Sequence, residues 1–541
     1  MFTPNQQQAA DEMMRVRRPG GKIGLANWTP ESFIDQLFKT IGKHLQPPAL
    51  WGTRAHLDKM FDANGSVAAQ SKATFIPLTS RPEIQTSLGR ATISALRRGA
   101  RRAIANRGIV WSIKPLVRLR EESHPGVNIW RESMKTTLVR RTAALIACAG
   151  LGLAAPALAQ EKTIKIGVLN DMSSLYADIG GANSVAAIKM AVEDSGLPKK
   201  GWTIDVLSGD HQNKPDVGVN IARQWMDNDK VDAIADTPNS GVALAVSNLV
   251  RDKNAVLLNS GAATADLTGK ACTPNTISFT YDTYMLANGT GKALTKAGGD
   301  SWFFLTSDYA FGQALERDTT AVVTANGGKV LGGVKHPINT SDFSSFLLQA
   351  QASKAKVVGL ANAGGDTTNA IKQASEFGIV SGGQKLAALL LFVNDVHSLG
   401  LKTAQGLSFT ESFYWDMNDQ TRAWSKRFMA LSPKGTMPSM TVAGNYAAVL
   451  HYLKAMEALG GNPHDGAKVV AKMKELPTDD PLFGKGPLRI DGRRIIPAYL
   501  FEVKKPEESK YPWDYYKTIA TISPEDAAKP LEASECPLVK K

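Results

Sequence analysis

Three stretches concentrate small polar side chains where an anion could be held without a formal positive charge. They are Asn170-Asp171-Met172-Ser173-Ser174-Leu175-Tyr176, Asp236-Thr237-Pro238-Asn239-Ser240-Gly241 and Asn259-Ser260-Gly261-Ala262-Ala263-Thr264. Small residues let backbone N–H groups approach an anionic group, and the hydroxyls of Ser240 and Thr264 add donors. Where the second stretch opens a helix, the helix N-terminus favours a carboxylate as well. Each stretch alone has a plainer reading, because Ser, Gly and Asn after a strand are ordinary turn and cap residues. Two such loops after adjacent strands strengthen the anion-site reading.

Catalytic chemistry finds no comparable support. Gly289-Thr290-Gly291-Lys292-Ala293 mimics the end of a phosphate loop, but Leu286 replaces its leading glycine and no Ser or Thr follows the lysine. His211, His336, His397, His451 and His464 show no metal-ligand spacing with one another or with cysteine. No Gly-x-Ser-x-Gly elbow occurs. Asp308 and Asp282 could form an acid pair, although satisfied loop carboxylates are the commoner case. No enzyme activity, cofactor or metal is expected.

The elements that would position the three loops alternate in a regular way. Strands are predicted at 163–169, 202–208, 231–235 and 255–259, with helices at 183–195, 216–227 and 240–251. The alternation restarts with a helix at 283–296, strands at 301–306, 329–334, 357–360 and 386–391, and helices at 312–325, 341–352 and 366–377. Short apolar strands separated by helices of about a dozen residues predict parallel sheets covered on both faces. Two series of similar length predict two similar α/β lobes rather than one long sheet. Helices follow near 420–430, 441–459 and 467–476. Residues 486–490 and 498–503 then read as an antiparallel pair turning at Asp491-Gly492.

The chain has 541 residues and a formal net charge of +13. Residues 1–159 carry 23 Lys and Arg against 10 Asp and Glu, which accounts for all of that excess, and the remainder has 40 of each sign. The body is therefore no nucleic-acid binder by charge. The junction is itself informative. Residues 134–159 run from Met134 through Lys135, Arg140 and Arg141 into an apolar stretch and end in Ala157-Leu158-Ala159. That order is a secretory signal peptide with cleavage between Ala159 and Gln160, which places the body in the periplasm. Leu145-Ile146-Ala147-Cys148 also resembles a lipid-attachment site, though the apolar run continues past it. After export, Cys272 and Cys536 would face an oxidising compartment where pairing is the default; two free buried thiols are the alternative. Residues 1–133 read as an extension outside the working protein. Met1 to Phe61 resembles a C-terminal methyltransferase fragment without its cofactor loop, and an unpatterned basic tract follows.

The stretches IGVLNDMSSLYADIGG, NSGAATADLTG, FLTSDYAFG, HPINTSDFSSFLLQ and GDTTNAIKQASEFG, in this order, resemble the periplasmic substrate-binding proteins of branched-chain amino-acid ABC transporters. The resemblance spans Glu161 to Lys541. It implies the type I binding fold: lobe 1 at about 161–282 and 410–485, lobe 2 at about 283–409 and 486–541, with three crossovers between them. It also implies a monomer that closes on a small ligand and delivers it to a membrane permease; a ligand-sensing receptor subunit would share the same cleft. By position, Tyr176 caps the cleft, Asn239 and Ser240 occupy the carboxylate loop, and Ala262, Ala263 and Thr264 complete it. Tyr309 covers the ligand from the second lobe, where Asn362 and Ala363 mark another loop. The amino-acid binders place an acid in the loop that here reads Leu391-Phe392-Val393-Asn394. An unpaired buried ammonium costs several kcal/mol, so an aromatic or aliphatic carboxylate fits better than an amino acid, which stays the alternative, with Phe392, Tyr281 and Phe311 as an apolar wall.

Overall fold

The computed structural model describes residues 162–540. The expectations for the N-terminal extension, the signal segment, Cys148 and the Ala159–Gln160 cleavage therefore lie outside the described residues. Two sheets organise the rest. In the first, β1 (Thr163–Asn170), β2 (Thr203–Asp210), β3 (Ala233–Asp236), β4 (Val256–Asn259) and β5 (Thr276–Ser278) run parallel in the order β2-β1-β3-β4-β5. Ile164, Ile166 and Val168 of β1 are fully buried on one side and Leu169 joins a separate cluster on the other, as a sheet covered on both faces requires.

The second sheet has the order β14-β13-β10-β9-β8-β6-β7. Its parallel part comprises β6 (Ser301–Ser307), β7 (Lys329–His336), β8 (Val357–Ala361), β9 (Lys385–Ala388) and β10 (Ser408–Glu411), and β13 (Ala498–Val503) and β14 (Tyr516–Ile522) add to it antiparallel. Trp302 of β6 is fully buried because its indole N–H finds the Gly299 carbonyl at 2.8 Å.

The longer helices among the described residues are α1 (Gly181–Asp194), α2 (Pro215–Gln224), α3 (Ser240–Lys253), α4 (Ala310–Ala325), α5 (Ser344–Ala352), α6 (Gly365–Glu376), α7 (Asp419–Leu431), α8 (Met440–Ala458) and α9 (Gly466–Glu475). Although α8 is late in sequence, it packs on α1, β3 and β4, and α9 packs on α8 and β4. The first lobe is thus completed by residues that follow most of the second. β10 reaches Glu411 within the second sheet, just past the boundary expected near 409.

The expected pairing of 486–490 with 498–503 does not form. The turn is present, with Gly492 at φ +85° and its N–H donating to Arg489 O. However, β12 (Gly484–Gly486) pairs with β11 (Thr478–Asp480), whereas β13 lies between β10 and β14. The apolar pattern marks a strand, but the crossover between lobes decides its partner. Beside that turn, Arg493 bridges to Ser278 at the end of β5 and pairs with Asp282 at 2.9 Å. Arg494 meets Asp480 at 2.7 Å and lies over the rings of Phe279 and Phe483. Both guanidinium groups are buried where the chain passes between lobes.

The phosphate-loop mimic also finds its explanation. Residues 287–291 form a π-helical turn against β10, and a Cβ on Gly289 would lie 2.1 Å from the Thr410 hydroxyl. Thr290 and Thr410 share a hydrogen bond of 2.8 Å. The glycine serves close packing, not a phosphate.

Candidate ligand-binding cleft

The carboxyl ends of the strands of both sheets deliver the loops that meet between the lobes. From the first side come Tyr176, Ile179, Pro238, Gly261, Ala263 and Tyr281, and from the second Tyr309, Phe311, Ala363, Leu390 and Phe392. They line a cleft with about 10 Å³ of free space, room for about one water centre. The lobes touch across it. The Tyr176 and Tyr309 hydroxyls hydrogen-bond at 2.5 Å, and Gly364 lies against the Tyr176 loop. Gly364 has φ +57°, and a Cβ there would fall 2.9 Å from Leu175 O and 3.0 Å from the Tyr176 ring. Only glycine suits both the backbone and the space.

Tyr281 donates its hydroxyl to Gly261 O at 2.7 Å and presents its ring edge-on to Phe392, 6.3 Å between centroids. Burial raises the hydroxyl pKa of Tyr176, Tyr281 and Tyr309, so all three remain neutral donors.

The remaining expected site residues sit at or behind this surface. Asn239 caps α3, its Oδ1 accepting from Gly241 N at 2.9 Å and Val242 N at 3.1 Å. Ser240 is the first helical residue, and its Oγ accepts from Thr264 N at 3.3 Å. The Ala262 N–H is taken by Asn259 Oδ1 at 2.9 Å. Ser240 and Thr264 are thus brought together at a helix N-terminus, beside the cavity walls Pro238 and Ala263. Asn362 is instead engaged by its own lobe: its amide meets His336 Nε2 at 3.1 Å and accepts from the Thr367 hydroxyl at 2.8 Å.

Carboxyl groups near the second-lobe wall are already occupied. Asp366 accepts from Asn339 N and Thr340 N, and burial pushes it up to about 7. Asp395 accepts from Phe392 N at 2.9 Å and is likewise pushed to about 7 by burial. Glu411 receives the Tyr516 hydroxyl at 2.8 Å and is held well above the ordinary carboxyl range by burial. On the first lobe, Asp236 is fully buried, bonded to Asn170 and raised to about 6 by burial. Asp236 and Thr237 have φ of +80° and +57°, left-handed backbone that non-glycine residues adopt only under local constraint. The sequence reading placed Asp236, Pro238 and Gly261 within the candidate loops without giving them a role, and it missed Ile179, Gly364 and Leu390. An Asp closing a buried strand was a visible signal for Asp236; the small and apolar ones had none.

Two parallel α/β lobes closing on a cleft at their strand ends define a solute-binding protein of the periplasmic type. A family model described as "Periplasmic binding protein" matches residues 163–509, and the chain belongs to that family. A periplasmic binding protein from Burkholderia mallei is 52% identical, with TM-score 0.68, over 70% of this chain and 100% of its own. A branched chain amino acid ABC transporter periplasmic ligand-binding protein from Burkholderia xenovorans is 42% identical, with TM-score 0.62, over 70% and 100%. A solute-binding protein of an ABC transporter from Rhodopseudomonas palustris, in complex with benzoate, is 21% identical, with TM-score 0.61, over 69% and 99%, a likeness of fold. The type I binding fold expected from the sequence is present, and the family is one of solute binders rather than enzymes. Membership implies an extracytoplasmic setting. No helix among the described residues is long and apolar enough to cross a membrane.

Proposed function

We propose that this chain is the solute-binding subunit of an ABC importer, that it acts as a monomer, and that its ligand is a small aromatic or aliphatic carboxylate without an ammonium group. The observation that carries the ligand class is the second-lobe wall. Phe311, Leu390 and Phe392 are apolar, and the acids nearest them, Asp366 and Asp395, are buried and bonded to backbone N–H groups. An ammonium placed there finds no free anion, whereas an apolar ring finds a dry surface. The carboxylate end is served by the α3 N-terminus with the Ser240 and Thr264 hydroxyls. The relatives leave both ligand classes open, since one is named for branched-chain amino acids and another holds benzoate. On this reading residues 134–159 direct export, the mature protein begins at Gln160, and residues 1–133 are not part of it.

A thermal-shift panel of benzoate, hydroxybenzoates, leucine and short amides tests the ligand class. Ligand at 100 times its Kd stabilises the folded state by about 2.7 kcal/mol. Benzoate-type acids are expected to raise the midpoint and leucine to leave it unchanged. Strong stabilisation by leucine alone would overturn the reading of the 391–394 loop.

A further inference from the structure

We propose that Asp171 is the positioning residue of the cleft, its carboxylate holding Tyr176 in place to meet Tyr309 and close the two lobes. The inference rests on the reading of this cleft as the ligand site and adds what keeps it shut.

Asp171 follows β1 and is fully buried. Its Oδ1 accepts from Ser174 N at 2.9 Å, Ser173 N at 3.4 Å and the Ser174 hydroxyl at 2.8 Å. Its Oδ2 accepts from Tyr176 N at 2.8 Å and from Asn213 Nδ2 at 2.5 Å. These donors are all neutral, and three of them are backbone groups of the loop that ends in Tyr176. A loop of this length has no regular structure to satisfy those N–H groups, so one buried carboxylate gathers them. Asn213 extends the tie. It comes from the loop after β2, sits at φ +57°, and accepts from Asn239 Nδ2 at 3.4 Å. Asn239 is the cap of α3. One side chain thus links the loops after β1 and β2 and, through Asn213, the helix end that would receive the ligand carboxylate.

The second lobe reads the result. Tyr176 meets Tyr309 through its hydroxyl, and Gly364 fits against Leu175 O and the Tyr176 ring. These contacts need the Tyr176 backbone at one height above β1, which the Asp171–Tyr176 N–H bond sets. Because the cleft leaves only about 10 Å³ free between these residues, a ring-sized ligand fits only when these contacts part. The strength of the Tyr176–Tyr309 contact therefore weighs directly on opening.

The test compares the wild type with Asp171→Asn, Tyr176→Phe and the double variant in the full chain. Spin labels on Lys189→Cys in α1 and Ala321→Cys in α4, both exposed, report the distance between lobes without any ligand. Asp171→Asn replaces one acceptor oxygen by an NH₂ group and is expected to shift the distribution toward open forms. Tyr176→Phe is expected to do the same, and the double variant to exceed neither single one, since both act through one contact. Benzoate dissociation is expected to quicken by roughly 5–10-fold in each single variant, the loss of about one hydrogen bond. An Asp171→Asn protein with wild-type lobe distances beside a shifted Tyr176→Phe overturns the proposal, as does full additivity. Should Asp171→Asn not fold, Asn213→Ala removes one donor and the link to Asn239; a folded variant with unchanged distances overturns it equally. Failure of benzoate to bind the wild type refutes the ligand class, while the ligand-free distances still decide the role of Asp171.

Discussion

Ser240 and Thr264 meet through a single backbone-to-hydroxyl bond at the start of a helix, and their worth lies in what they offer a third group. Ser240→Ala and Thr264→Val are each expected to weaken carboxylate binding by about 1–3 kcal/mol, measured by calorimetry, because each leaves a desolvated anion short of a donor. Asp366 gives a second residue-level expectation. Burial raises its carboxyl from an ordinary value near 3.8 to about 7, so folding takes up a proton between those limits. The stability it contributes is complete below about pH 4, falls as pH rises through 7, and is level beyond. His211 and His451, drawn down to about 4 by burial, act in the opposite direction. Asp366→Asn isolates the carboxyl: the stability of wild type relative to this variant, from urea midpoints, is expected to decline from pH 4 to pH 7. The cleft aromatics were legible in the sequence because large side chains in strand-end loops have few other uses. Asp171 was not, since an acid followed by serines reads equally as a turn.

At the scale of elements, alternation of short apolar strands with helices was legible almost throughout, because the inner strands of a doubly wound sheet are buried on both faces. β3, β4 and β8 are nearly uninterrupted apolar runs. β14 was missed: its pattern is exposed over most of its length, and edge strands need no apolar face. The antiparallel partner of β13 was misread because a turn is local whereas strand order is not. The helix cap of α3 and the loop of Gly364 carry the element-level predictions. Asn239→Ala is expected to cost about 1 kcal/mol of stability, read by denaturant unfolding. Gly364→Ala is expected to lower the unfolding midpoint, because φ +57° strains an alanine, and to lower ligand affinity, as its Cβ would abut Leu175 O at 2.9 Å and hold the lobes apart.

For the whole molecule, the pair of cysteines follows from simple counting once export is assumed, and they are bonded: Cys272 joins Cys536 across 264 residues, with Cα atoms 5.5 Å apart. Cys272 precedes β5 of the first sheet, whereas Cys536 lies in the segment that leaves β14 of the second. The bond therefore adds a covalent tie to the peptide crossovers. Cys272→Ser with Cys536→Ser is expected to lower stability by about 3–5 kcal/mol, measured under non-reducing conditions against the wild type. The neutral charge of residues 160–541 was equally legible, whereas the dispersal of the first lobe over distant segments rested on family resemblance and left no local mark. That dispersal has a temporal consequence. A ribosome adding roughly 5–20 residues per second completes β5 well before α8 exists. For about 10–30 s the first sheet has strands and α1 but lacks the helix that packs on β3 and β4. The nascent first lobe cannot complete its core until most of the second has been made.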